Sequence, residues 1–354
     1  MPSLPSASSS AWQISPAPAQ SWRSLSALDN LHLNTSVPIP PASDLEPGTV
    51  LVRIRAAALN ARDAIVIAHD PIYHIPNLPD LSPCQDGAGE IGATGPNSIW
   101  KKGDRVFICP LSWDDEEKQG VPDLEQARPK GAGNVQGTLR TWAILSDNEL
   151  LPAPPHLTFE EIAALPCAAG TAMNALSFGP LKMERGMTVL TMGTGGLAAS
   201  MGCTVISTSS TAGKLTQAKS LGATHTINYT ITPDWDIEVL RLTGGKGVDH
   251  ALDVGGSGTI EKSLRAVRRG GLVTCIGFLG GMGSVDVVMG LIGGAKMLRG
   301  VYGIYKTHCE ALLELVNEHQ IHPLIAQVFE WEDAKMAFDM IMKGEVVGKV
   351  AIRV

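Results

Sequence analysis

No two cysteines in this 354-residue chain are spaced as CxxC; the six, at 84, 109, 167, 203, 275 and 309, lie far apart. They read as reduced, mostly buried thiols of a cytoplasmic protein. Clusters of Lys or Arg are also missing, and the formal charge is -7. That argues against nucleic acid or an anionic membrane as partner and leaves a small molecule as the expected one. No apolar run is long enough to span a bilayer, and the nearest, VVMGLIGGAKMLRG, is glycine-broken and charged. The start, MPSLPSASSS, has neither a basic segment nor an apolar stretch behind it. Residues 1–10 therefore read as a disordered lead-in rather than a secretory leader.

What is present is glycine and apolar side chain: 38 glycines and 44% hydrophobic residues in a chain long enough for two domains. The charge run DDEEK at 114–118 reads as a solvated loop within a polar surface insertion over 110–136. TVLVRIRAAALN (49–60), DRVFIC (104–109) and GTLRTWAIL (137–145) are strand-like runs separated by turn residues, the pattern of a small β-barrel.

From residue 158 the pattern changes. Thr158 and Glu161 have the spacing of a capping box ahead of an apolar run. Strand candidates follow at 188–192, 204–208, 224–229, 248–254 and 271–277, with helical stretches such as KLTQAKSLGA and IEKSLRAVRRG between several of them. That alternation predicts an α/β domain with a parallel sheet covered by helices on both faces. A helix, CEALLELVNEHQI, and a strand, GKVAIRV, close the chain.

Gly193, Thr194, Gly195 and Gly196 follow the first strand of that alternation directly. A GxG turn there brings backbone amides close to a pyrophosphate. An NAD-specific site places an Asp or Glu at the end of the next strand. This chain has Thr208, Ser209, Ser210 and Thr211, then Lys214, and no acid. Hydroxyls with a cation suit the extra phosphate of NADPH. His69 and His74 are five apart in a Pro-rich loop without cysteines, and no metal site is expected there.

The chain resembles the medium-chain dehydrogenase/reductase superfamily, in its zinc-independent, quinone oxidoreductase-like branch. The resemblance rests on AAALNARD (56–63), DGAGEIGATG (86–95), KKGDRVF (101–107), LPCAAGTAMNAL (165–176), GTGG (193–196), KSLGATHTINY (219–229), RRGGLVTCIG (268–277) and GKVAIRV (348–354). It implies a GroES-like β-barrel catalytic domain at 1–152, a Rossmann NADPH-binding domain at 153–304 and a return to the catalytic domain at 305–354. Zinc-binding members place a Cys where Asn60 stands and a His-Glu pair where Gln85-Asp86 stands, so the resemblance implies no metal. By the same resemblance Asn60, Asp63 and Thr171 line the cleft beside the nicotinamide. Lys214 and Tyr229 match positions that grip the 2′-phosphate; Gly255, Ile276 and Gly277 border the nicotinamide, and Gly348 and Lys349 reach back towards the cleft.

The implied activity is NADPH-dependent reduction of an enone, quinone or similar small carbonyl compound. Two alternatives stand beside it: an NADPH-binding protein with weak or no catalysis, and an alcohol dehydrogenase or carbonyl reductase. Homodimerisation is a family expectation, with VVMGLIGGAKMLRGVYG as the place to look. One stretch departs from the family. Between GTGG and the next strand the chain is about seven residues, two helical turns, shorter than its relatives. Only residues 193–203 remain for a parallel crossover, so the stub must keep Leu197, Ala198 and Met201 on the sheet if the fold survives.

Overall fold

A computed structural model describes residues 9–73, 75–111, 128–193, 195–344 and 346–354. The chain divides into two units, one made of residues up to Gly170 together with Gly303–Val354, the other of Thr171–Tyr302. The division falls at 170/171 and 302/303, not at 152/153 and 304/305. The first difference has a clear cause: a short helix at 159–163 packs on the barrel strands, and the Cys167 amide donates to the barrel's Asp86 carboxylate at 3.1 Å.

In the first unit, β1 (Ser9–Ile14) pairs antiparallel with β2 (Leu31–Val37). Ser9 and Ser10 are therefore ordered, contrary to the disorder expected of them. Ser9 is buried, and both residues bond to the Thr141 hydroxyl at 3.0 Å. A seven-stranded sheet is built on β3 (Thr49–Leu59), which buries Val50, Leu51 and Val52, turns Arg53 outward, and ends in a wholly buried AAAL. It pairs with β4 (Asp86–Thr94), with β6 (Trp142–Ser146) and with β15 (Lys349–Arg353). Beyond these lie β5 (Arg105–Ile108), β7 (Leu150–Pro152) and β14 (Ile325–Phe329). The run expected at 137–145 is strand only from Trp142. Before that point its backbone turns to β1 instead, through Trp12 N to Leu139 O at 3.1 Å and Thr141 N to Ser10 O at 2.8 Å. Two helices matter for the site: α1 (Ala61–Ile67), directly after β3, and α2 (Phe159–Ala163). The predicted capping box forms on α2, with the Glu161 amide on the Thr158 hydroxyl at 3.2 Å and the Thr158 amide on the Glu161 carboxylate at 2.8 Å.

The second unit begins inside α3 (Pro166–Ser177). Its sheet contains β8 (Thr188–Thr191), β9 (Thr204–Ser209), β10 (His225–Asn228), β11 (Val248–Asp253), β12 (Val267–Cys275) and β13 (Met297–Gly300). The order across the sheet is β10-β9-β8-β11-β12-β13, all parallel. That is the doubly wound arrangement, whose direction reverses between β8 and β11. Arg268, Arg269 and Gly270, expected to end a helix, belong to β12; that helix is confined to α7 (Ile260–Ala266), after α4 (Gly196–Ser200), α5 (Ala212–Ser220) and α6 (Trp235–Leu242).

The short crossover holds. Helix α4 has five residues, yet β8 and β9 pair in parallel from Thr188/Thr204 to Thr191/Ser207. Ala198 is buried in the core, and Leu197 and Met201 pack against it. The return is made by Gly202, whose φ of +79° lets the chain reverse within one residue. Gly202 donates to Ala199 O at 2.9 Å, and Cys203 donates to Ala198 O at 3.1 Å. The polar insertion and DDEEK run fall largely on 112–127, outside the described residues, as does His74. Among the described residues no helix is long and apolar enough to cross a membrane.

Ala198 is buried in the core, on a helix of only five residues. Ala198→Leu should lower the free energy of unfolding by about 1–3 kcal/mol, read from chemical denaturation of the full chain.

Candidate active site

Strand β3 ends at Leu59, and Asn60 caps α1 with its amide donated to Asp63 Oδ2 at 2.8 Å. The Asn60 side chain stays clear of the cap. Its Nδ2 donates to Asp86 Oδ2 at 3.0 Å, and its Oδ1 accepts from Lys349 Nζ at 2.6 Å. Lys349, the first residue of β15, also reaches Asp86 Oδ2 at 3.1 Å. The other Asp86 oxygen takes the Cys167 amide. Asp86 and Asp63 are fully buried. One ammonium, one amide side chain and two carboxylates thus converge where β3, β4 and β15 meet.

Arg62 supports the cluster from the side. Its guanidinium contacts Asp63 Oδ1 at 3.3 Å and donates to Lys130 O at 2.8 Å, while Tyr73 stacks on it at 5.2 Å. Burial raises the Asp63 carboxyl to about 6, against the opposing pull of Arg62. Burial, reinforced by the Asp86 charge, pushes the Cys167 thiol up to about 12.

This donor set does not suit zinc. Asn60 is a neutral amide whose oxygen already serves an ammonium, Cys167 remains a thiol, and Gln85 turns its amide to Pro110 O at 3.2 Å. Among the described residues no group of three His, Cys, Asp or Glu could hold a metal ion. His69 instead bonds to Ser15 O through Nε2, at 2.9 Å.

In the second unit the glycine turn follows β8. The Gly193 carbonyl accepts from the Thr191 hydroxyl at 3.0 Å and from the Ser207 hydroxyl, and a Cβ on Gly193 would meet nothing within 4 Å. Gly195 caps α4 in the left-handed region, φ +69°. A Cβ there would lie 2.6 Å from Val205 Cγ1 and 2.9 Å from Thr191 Oγ1. Thr194 lies outside the described residues, and Gly196 opens α4. A turn of this kind at the carboxyl end of the first strand, beside the reversal point, fits a dinucleotide's pyrophosphate.

At the end of β9 the structure brings Ser209, Ser210 and Tyr229 together: Tyr229 N donates to Ser209 O at 3.1 Å, and Thr230 Oγ1 to Ser210 O at 3.3 Å. Thr211 caps α5, taking the Lys214 amide at 3.4 Å. Gly255, Ile276 and Gly277 lie beyond the ends of β11 and β12. Asp253 fixes them, accepting from the amides of Gly255 and Gly256 and the hydroxyls of Thr259 and Ser263 at 2.5–3.0 Å. Its carbonyl takes the Ile276 amide at 2.7 Å. Thr171 is half-buried in α3, and its hydroxyl makes no hydrogen bond within the described residues.

These two arrangements, a doubly wound dinucleotide fold and a barrel unit assembled from both ends of the chain, occur together in one family. This chain belongs to the medium-chain dehydrogenase/reductase superfamily. Residues 46–155 match the alcohol dehydrogenase GroES-like domain, and residues 191–318 match the zinc-binding dehydrogenase family. A zinc-type alcohol dehydrogenase-like protein of Schizosaccharomyces pombe is 34% identical over 324 residues, 88% of this chain and 92% of that protein. A putative alcohol dehydrogenase from Sinorhizobium meliloti superposes with a TM-score of 0.85 at 27% identity, over 98% of both chains. The crotonyl-CoA carboxylase/reductase AntE, V350A variant, in complex with NADP, shares the fold at 19% identity, with a TM-score of 0.87 over 99% of this chain and 97% of that one.

Asp86, Cys167, Arg62 and Lys130 were not expected among the site residues. Asp86, Arg62 and Cys167 lie in motifs recognisable in the sequence, but their part in the cluster is defined by contacts; Lys130 lies in none of those motifs.

Two tests follow from the cluster. Asp63 holds a proton in the folded state up to about pH 6, whereas the unfolded chain releases it near its ordinary value. The native state binds the extra proton between those values, so stability falls as pH rises across that window, by up to about 3 kcal/mol. Asp63→Asn should flatten the dependence between about pH 4 and 6, measured by urea unfolding. Lys349→Met leaves Asp86 buried without its cation and should cost about 3–5 kcal/mol of stability. Adding Asp86→Asn to it should recover part of that loss.

Proposed function

We propose that the chain is an NADPH-dependent, zinc-independent oxidoreductase that reduces a conjugated carbonyl compound, an enone or a quinone. The observation that carries this reading is the Lys349 ammonium bonded to Asn60 and Asp86 at the position where zinc-binding members of the family place metal ligands. A dinucleotide, when bound, supplies the hydride. The protein's part is to hold the substrate oxygen while negative charge builds on it. Lys349 has three donors and Asn60 Nδ2 has two, and each commits only some of them within the cluster. Their remaining N–H groups suit an enolate or hydroquinone oxygen, whose charge is delocalised and needs less help than an alkoxide. Buried Asp63 caps α1 and so fixes Asn60. Cys167, its thiol pushed up to about 12 by burial, is a poor acid.

Preference for NADPH is supported by Ser209 and Ser210 at the end of β9 and Tyr229 just after β10, with no acid in the stretch after β9 to oppose a 2′-phosphate. NADP in the complex with the crotonyl-CoA carboxylase/reductase agrees with this reading. A cytoplasmic location and a homodimer belong to the same proposal. For the dimer, Met289 and Ile292 are about 70% exposed beside the edge strand β13, which offers an unpaired side to a second copy.

Mixing the protein with NADPH and a panel of enones and quinones should give substrate-dependent loss of nicotinamide absorbance. Lys349→Met and Asn60→Ala should each lower kcat/KM by about 10²-fold while leaving the NADPH Kd unchanged. NADPH binding without turnover would instead support the non-catalytic alternative. Stoichiometric zinc with oxidation of a simple alcohol would favour an alcohol dehydrogenase. Ser210→Asp should shift preference towards NADH by tenfold or more, about 1.4 kcal/mol.

A further inference from the structure

The unit that carries Lys349 also contains a cavity of about 320 Å³, lined by Arg128, Arg140, Lys306, Gln136, Asn148 and Glu149 among others. Among the described lining residues its charge is unbalanced. Both carboxylate oxygens of Glu149 are already engaged, one by Lys130 Nζ at 2.6 Å and the other by the Ser146 amide at 2.8 Å. Among the described residues, the side chains of Arg128, Arg140 and Lys306 carry no hydrogen bond or ion pair. Arg140 Nε is buried and without a partner, and burial lowers the Arg140 pKa. A buried guanidinium N–H that faces no acceptor is costly.

We propose that this cavity binds a phosphate or diphosphate group. Three cations and, among the described lining residues, no uncommitted carboxylate match an anion of two or more charges, and the planar fork of Arg140 suits phosphate oxygens. Gln136, whose Oε1 accepts from the Ser82 amide at 2.7 Å, adds a neutral amide donor. The cavity is distinct from the Asn60–Lys349 cluster but tied to it: Arg62 donates to Lys130 O, and Lys130 bonds Glu149 in the cavity wall. Such an anion has two possible sources. It is the phosphorylated handle of the substrate, which extends the oxidoreductase reading and rests on it, or it is a free phosphorylated effector.

The test begins with binding, which needs no turnover. Inorganic pyrophosphate is titrated calorimetrically into the full chain, with and without saturating NADPH to fill the glycine turn of the other unit. Saturable binding is expected in both conditions. Arg140→Gln and Lys306→Gln should each weaken it about tenfold or more, with thermal unfolding close to that of the parent and Arg140→Lys partly restoring affinity. No binding, or equal binding by the parent and both variants, overturns the proposal whether or not the protein reduces any substrate.

The source is then read from kinetics, using an α,β-unsaturated thioester with a nucleotide diphosphate handle and its truncated phosphate-free counterpart. A substrate handle predicts that Arg140→Gln raises KM for the first compound alone. An effector predicts that pyrophosphate changes turnover of the truncated compound in the parent and not in Arg140→Gln.

Discussion

The barrel unit depends on how the buried carboxylate of Asp86 is neutralised. Its side chain has no solvent exposure, so its ionised form is supported wholly by neighbours: the Lys349 ammonium, the Asn60 amide and the Cys167 backbone N–H. Those partners come from the exit of β3, the start of β15 and the first turn of α3. One ion pair therefore joins segments 263 residues apart in the chain and fixes where β15 begins. Buried ion pairs of this kind are weak contributors to net stability and strong constraints on geometry.

Chemistry at the site follows from that constraint. The same desolvation that demands Lys349 raises the Asp63 carboxyl and keeps Cys167 protonated. A thiol and an amide are poor zinc ligands, whereas the Lys349 ammonium and the Asn60 amide keep N–H donors unused. In the function we propose, electrostatic help for a substrate oxygen comes from these fixed hydrogen-bond donors in place of a Lewis acid.

In the dinucleotide unit the governing constraint is chain length. The first crossover loses most of its helix, yet parallel pairing of β8 and β9 survives because Gly202 reverses the chain sharply and Ala198 is small enough to sit against the sheet. The glycine turn ahead of it is held from beneath, by Thr191 and Ser207 on the Gly193 carbonyl and by the packing that forbids a side chain at Gly195. Those supports come from β8 and β9, which explains why a shortened helix leaves the turn in place.

Alternation of strands and helices from residue 188 onward, the glycine turn, the absence of an acid after β9 and the capping box at Thr158 were all legible in the sequence, because each is a local pattern with a local physical cause. So was the place of Asn60 in a motif at a strand exit. Contacts across long separations were not. Nothing in the sequence tells that Lys349 meets Asp86, that β1 is ordered by Thr141, that α2 packs with the barrel and moves the boundary to Gly170, or that Arg140 faces a cavity. Periodicity and turn chemistry act over a few residues, so the sequence alone determined the architecture and the cofactor class it points to. Burial and charge compensation are settled only when distant segments pack, so the tertiary structure decided which polar side chains share a site.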